Sequence, residues 1–273
     1  MTTEYLSHFG LTHSPFAKEI ADTDLWLPPS KQEVVSGLEQ AVNEHASGLV
    51  IGEPGVGKTC TLRAVRHRLA KPGFRLTYCH NSTLGRRDFY RQLCLAMGLS
   101  PSATAASVFW AVSNHINELG REHTHPVLIL DEAHLLHQDT LDHLHILLNY
   151  EWDSQPLLSI ILVGLPELEH RLHLRRNRPL YSRLFCRYHI EPLTHDDTGI
   201  YVRMRMTNAG CDHEVFASDA IAMLHEAATG ALRDIDRIAT SALRLAAGKK
   251  RKLVERDIVT SAVCLGQPEG AAL

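Results

Sequence analysis

The chain has 273 residues, 44% of them hydrophobic and 22% charged, a balance that suits one large globular domain plus a smaller one and excludes a disordered or collagenous chain. Its formal net charge of -3 gives no overall attraction for nucleic acid, so any such contact must come from local clusters of Arg and Lys. Six cysteines (Cys60, Cys79, Cys94, Cys186, Cys211 and Cys264) form no C-x-x-C pair and read as the reduced thiols of a cytosolic protein.

The chain opens on "MTTEYLSHFGLTHSPF", which lacks the basic and apolar regions of a leader, and no later segment approaches 18 apolar residues, so no membrane insertion is expected. An arm over residues 1–30 ends in the turn-rich "LPPS"; Val34, Val35, Leu38 and Val42 then predict a first helix over Lys31–His45. Next, "GLVI" runs into the glycine-rich "GEPGVGKT" and a helical pattern, a strand, loop and helix that match G-x-x-x-x-G-K-[ST]. In this pattern the glycines turn backbone N–H groups around a phosphate chain, and the following helix adds its positive end. Gly52, Glu53, Pro54, Gly55, Val56, Gly57, Lys58, Thr59 and Cys60 are therefore the expected nucleotide contacts, with Lys58 on the β- and γ-phosphates and Thr59 on Mg²⁺; ATP and Mg²⁺ are the expected cofactors.

Further apolar runs at "FRLTYC", "PVLILDE" and "LLSIILVG" alternate with helical periodicity over Arg87–Met97 and Ser107–Leu119. The alternation predicts an α/β fold with a mainly parallel sheet covered on both faces. "PVLILDEAHLL" ends its strand in Asp131 and Glu132, a costly placement unless it serves nearby charge. Asp131 is placed to hold the Mg²⁺ shell and Glu132 to take a proton from the attacking water. Beyond "YHIEPLTHDD" the strand-like runs stop, and helices are predicted over Thr198–Ala209, Ser218–Ala228, Leu232–Ala247 and Glu255–Leu265. With the boundary near Pro192, the expected division is an arm (1–30), a nucleotide-binding α/β domain (31–192), a helical lid (193–265) and a disordered tail (266–273).

Six segments in order, "HFGLTHSPF", "GEPGVGKT", "LDEAHLL", "ILVGLPEL", "SRLFCRYHIEPL" and "TGALRDIDRIA", give the chain a resemblance to the AAA+ ATPases, within them to the ExeA-like group, which also resembles the TniB and MuB type of transposition ATPases. The resemblance implies a RecA-like sheet, a small helical lid, and a nucleotide held between subunits of a ring or helical filament. It matches Arg233 to the lid arginine that senses the γ-phosphate and Arg183 to the arginine finger, with Arg187 the second choice for the finger. It sets Phe9–Phe16 near the adenine, although apolar packing accounts for the same residues. Where the family commonly carries a polar side chain that orients water, this chain has Leu165. Either a neighbour supplies that contact or hydrolysis is slow and switch-like.

Eighteen histidines, among them His134, His137, His143 and His145, follow no zinc spacing, so no structural zinc is expected. "KKRK", Lys249–Lys252, is a solvated loop or a phosphate contact. Arg86, Arg87 and Arg91 in "NSTLGRRDFYRQL" are the expected DNA-backbone contacts, and Arg171, Arg175, Arg176 and Arg178 are weaker candidates for DNA or subunit contacts. Because secretion proteins of the ExeA type carry a membrane span and a cell-wall-binding extension, and this chain stops at residue 273, the favoured function is a cytoplasmic, nucleoid-associated DNA-binding regulator. It would assemble on duplex DNA with ATP and recruit or stimulate a transposase. The alternative is an ExeA-like secretion or envelope-assembly ATPase.

Overall fold

Five segments pair into one parallel sheet: β1 (Ser47–Ile51), β2 (Phe74–Cys79), β3 (His125–Leu130), β4 (Ser159–Gly164) and β5 (Leu184–His189), in the order β2-β3-β4-β1-β5. The computed structural model describes residues 4–80, 85–100, 104–150 and 154–265. The expected tail, 266–273, and residues 81–84 of the basic segment lie outside the described residues. Every residue of β1, β3 and β4 is buried, which is why these strands are continuous apolar runs rather than alternating ones. β2 and β5 form the edges and alternate. In "LFCRYH" only Leu184 is buried, so β5 carries no run of the kind that announces the inner strands.

The chain divides into two units. The α/β unit comprises Pro29–Glu53 and Lys58–Ile190. Its helices cover both faces of the sheet: α2 (Pro29–Asn43), α3 (Lys58–Leu69), α4 (Arg86–Ala96), α5 (Ala105–Arg121), α6 (Gln138–Leu147), α7 (Pro166–His173) and α8 (Arg178–Tyr181). Alternate residues of the inner strands (Leu49, Ile51, Leu128, Leu130, Ile160, Leu162) join Phe89, Leu93, Ile116 and Leu144 from the helices in one core. At the start of β3, His125 donates to or accepts from the Ser159 hydroxyl at 2.8 Å, and the His45 ring stacks on it at 4.0 Å.

The second unit comprises Met1–Pro28, Pro54–Gly57 and Glu191–Leu273. It holds α1 (Glu4–Phe9), α9 (His195–Asn208), α10 (Ser218–Ala228), α11 (Leu232–Gly248) and α12 (Arg256–Leu265). Thr194 and Asp197 form a reciprocal capping box that starts α9. The arm is part of this unit's core: Tyr5, Phe9, Leu11 and Phe16 are buried among Met206, Phe216, Leu224 and Leu243. Apolar packing is thus the account of Phe9 and Phe16 that the structure gives. Buried Arg205 of α9 fixes the arm by donating to the carbonyls of Pro15 and, at 2.6 Å, Ala17. Tyr201 donates to Asp236 at 2.6 Å in the same network. "KKRK" is structural too, since Lys252 donates to the His8 carbonyl at 3.0 Å and Arg251 pairs with Asp257 at 2.8 Å.

The two units titrate in opposite directions. Burial, with the stacked His45 adding to it, pushes His125 down to about 4, so it folds neutral; its contribution is complete above the unfolded value near 6.5 and is lost as pH falls toward 4. The ceiling on that loss is about 3 kcal/mol. Asp236 is raised to about 6 by burial, against the Tyr201 hydrogen bond and the charges of Arg205 and Lys18; its contribution is complete below 3.8 and is lost as pH rises through 6. Denaturation series over that range should show His125→Gln removing a fall on acidification and Asp236→Asn removing an opposing rise. Gly230 has φ +74, and a Cβ there would fall 2.3 Å from the Leu193 carbonyl oxygen. Gly230→Ala should therefore cost the helical unit at least about 2 kcal/mol in the same measurement.

Candidate nucleotide site

Polar side chains gather where the inner strands end. In an open parallel sheet the carboxyl ends of the strands border a crevice, the usual place for a ligand. β1 leads into Gly52, whose N–H donates to the Gly164 carbonyl at the end of β4 at 3.2 Å. Gly55 and Gly57 adopt φ +83 and +103, values that side chains resist, so the loop reverses tightly before α3 begins at Lys58. Lys58 is buried, and its ammonium donates to the carbonyls of Gly52 at 2.7 Å and Glu53 at 3.0 Å. Thr59 is exposed on the first turn of α3 and Cys60 is half-buried beside it. Glu53 and Pro54 are exposed and Val56 is buried.

Asp131 follows β3 and is 6% exposed. One carboxylate oxygen, Oδ1, accepts the Glu132 N–H at 2.9 Å, and Oδ2 accepts the Tyr78 hydroxyl at 2.7 Å. Burial first, then that hydrogen bond to the carboxylate, raises the Tyr78 phenol well above its ordinary range, so it stays a donor. Glu132 is exposed and left-handed at φ 52, ψ 36, which turns its side chain out of line with the strand. Its Oε2 lies 3.5 Å from His134 Nδ1, and the same nitrogen lies 3.5 Å from the Leu165 N–H. Nδ1 can donate to the carboxylate or accept from the amide, never both, so the imidazole tautomer selects between them.

This donor set fits a nucleotide triphosphate with a hard divalent cation: a glycine turn that can present N–H groups, an ammonium at a helix start, a hydroxyl beside it and a fixed carboxylate. Arg171 holds the acidic turn from below, donating to the carbonyls of His134 at 2.5 Å and Leu136 at 2.7 Å, and burial lowers its pKa. Within the chain it acts as an internal fastening. Arg176 pairs with Asp142, while Arg175 and Arg178 are exposed.

The arginines are placed separately. Arg183 is half-buried and donates to the Pro179 carbonyl at 3.0 Å; Arg187, on β5, is exposed, lies 3.9 Å above the Tyr181 ring and donates to the Tyr181 carbonyl at 3.0 Å. Arg233 is exposed in the first turn of α11, and its N–H donates to the Gly55 carbonyl at 3.3 Å. Arg86, Arg87 and Arg91 are exposed on α4. Among the described residues no three His, Cys, Asp or Glu side chains are grouped as metal ligands would be.

Residues 38–172 match the family model described as "AAA domain". The sheet and its helices have the AAA+ fold. Over 262 residues, 94% of the chain, it is 30% identical to the general secretion pathway protein A of Aeromonas hydrophila, of which it spans 48%, about half the length. Solved structures give the same fold at low identity. Cdc6p from Pyrobaculum aerophilum matches with a TM-score of 0.69 and 17% identity over 91% of this chain and 75% of that one. Drosophila ORC bound to DNA gives 0.70 and 20% over 95% and 65%, and the RuvB Holliday junction branch migration motor of Thermotoga maritima 0.61 and 16% over 93% and 73%. In sequence the chain is thus similar to AAA domains and to a general secretion pathway protein A, and in fold to these solved structures.

Tyr78 was not visible as a site residue from the sequence, which weighed His134 and Arg171 only for other roles. Tyr78 reaches Asp131 only because β2 happens to pair with β3, and Arg171 reaches the acidic turn only through the fold of α7. Arg171→Ala, which strands two carbonyls, should destabilise the α/β unit by about 1–3 kcal/mol, whereas Arg175→Ala should fall within about 0.5 kcal/mol of wild type in urea denaturation.

Proposed function

We propose that this chain is a Mg²⁺-dependent ATPase with slow, switch-like turnover that serves an ExeA-like secretion or envelope-assembly machine. The observation that carries the reading is the 30% identity to a general secretion pathway protein A across 94% of the chain. It reverses the order expected from sequence, in which the transposition role came first. That order leaned on where the chain ends, and a chain spanning 48% of its relative gives no weight to its ends. Among the described residues no helix is long and apolar enough to cross a membrane. A cytoplasmic location is part of the proposal.

Bound ATP with Mg²⁺ supplies the phosphoanhydride and its electrophilic phosphorus. With ATP and Mg²⁺ bound, Lys58 would leave its loop carbonyls for the β- and γ-phosphates, and Thr59 and Asp131 would hold the cation. Glu132 takes the proton of the attacking water. His134 is the polar neighbour of Glu132 in place of the side chain missing at Leu165. Arg233 senses the γ-phosphate, and Arg183 or Arg187 reaches the site of a neighbouring copy in a ring or filament; Arg187 is the more exposed.

The exposed Arg86, Arg87 and Arg91 favour a second reading, sequence-independent binding of duplex DNA backbone by the assembled form. Lys58→Ala should abolish nucleotide binding, while Glu132→Gln should bind ATP and hydrolyse it about 10²–10⁴-fold more slowly. Equal loss of binding in both variants would contradict these roles. Duplex binding followed through a salt titration in ATP and in ADP separates the two functions. Binding that is ATP-dependent, steep in salt and weakened by Arg86→Ala with Arg87→Ala favours the DNA role; its absence, with lost protein secretion in a strain carrying Lys58→Ala, favours the secretion role.

A further inference from the structure

We propose that Tyr78 is a positioning residue for Asp131, an inference that rests on reading the site as one for Mg²⁺ and nucleotide. Asp131 stands just beyond β3, where a carboxylate is free to rotate about its side-chain bonds unless something stops it. Two bonds stop it. The Glu132 N–H takes Oδ1 and the Tyr78 hydroxyl takes Oδ2, at 2.9 and 2.7 Å, and together they fix the carboxylate plane. The tyrosine therefore orients the group through one of its oxygens.

The backbone of the same neighbour strand does the rest. Tyr78 lies opposite Ile129 and Cys79 opposite Leu130, and the ladder continues one step past β3, where the Asp131 N–H donates to the Cys79 carbonyl at 2.9 Å. Main chain and carboxylate of Asp131 are thus both held from the end of β2. Tyr78 is 47% exposed and its ring stacks on His80 with centroids 6.0 Å apart, so it is not needed to fill the core. Its hydroxyl is the part with a defined task. Partners that orient a ligand from outside the coordination shell are commonly worth 10–100-fold in metal affinity.

The test is equilibrium binding of a fluorescent ATP analogue, titrated with Mg²⁺, to wild type and Tyr78→Phe. We expect the variant to need at least about 10-fold more Mg²⁺ for half-maximal enhancement of binding, with nucleotide binding in EDTA unchanged. A Tyr78→His variant, able to donate a hydrogen bond, should recover part of the loss. An unchanged or lower Mg²⁺ requirement in Tyr78→Phe would overturn the proposal while leaving the site's reading intact. A wild-type protein whose nucleotide binding ignores Mg²⁺ would instead overturn the reading on which it rests.

Discussion

Burial of the inner strands on both faces is the constraint from which the rest follows. β1, β3 and β4 expose no residue, so the polar groups of this unit are driven to the ends of the strands or to the edges of the sheet. At the carboxyl ends the chain must leave the sheet through short turns, and those turns are where charge can be both sheltered and reachable. Gly52, Asp131 and Gly164 each follow or end an inner strand, and the Gly52 N–H bonds directly to the Gly164 carbonyl. The position of the site is a consequence of the core.

Shelter has a cost, since a carboxylate nine-tenths buried is destabilised unless donors replace the water it loses. Asp131 obtains them from an amide and a phenol, one from its own turn and one from the next strand. Glu132 solves the same problem differently: its left-handed backbone points the side chain outward, where it stays exposed and in reach of His134. Two adjacent acids in one motif are thus given opposite environments, one buried and hydrogen-bonded, the other exposed to water. That contrast suits a fixed metal holder beside a base that must exchange protons with water.

What could be read from the sequence was what is local. The phosphate loop declares itself because its glycines, lysine and threonine are contiguous, and the inner strands because burial on both faces makes them uninterrupted apolar runs. The helices Ser218–Ala228 and Leu232–Gly248 were legible for the same reason, through 3.6-residue spacing within one segment. β5 was not, because an edge strand with Phe185 and Arg187 facing solvent has no such run. Nor was the place of the arm, where Arg205 grips carbonyls of Pro15 and Ala17 far away in sequence. Any arginine in a helix looks like a surface charge until its partner is known. Tyr78 and Arg171 belong to this second kind, being defined by pairing across the fold.

Leu165 shows how a departure from pattern can be absorbed. A leucine gives no side-chain donor at the end of β4, yet its amide remains, and His134 Nδ1 stands at the same 3.5 Å from that amide as from the Glu132 carboxylate. If the nitrogen carries a proton it favours the acid; if it does not, it favours the amide. Both distances are long for a hydrogen bond, so neither arrangement is locked and a small movement of the turn decides between them. Arg171 grips the carbonyls on both sides of Leu135, which holds the backbone of the turn. A base whose orientation depends on a ring with two nearly equal partners would be poised only part of the time. Under the proposed ATPase role, this links leucine at position 165 to the proposed slow turnover, through geometry rather than through a missing group alone.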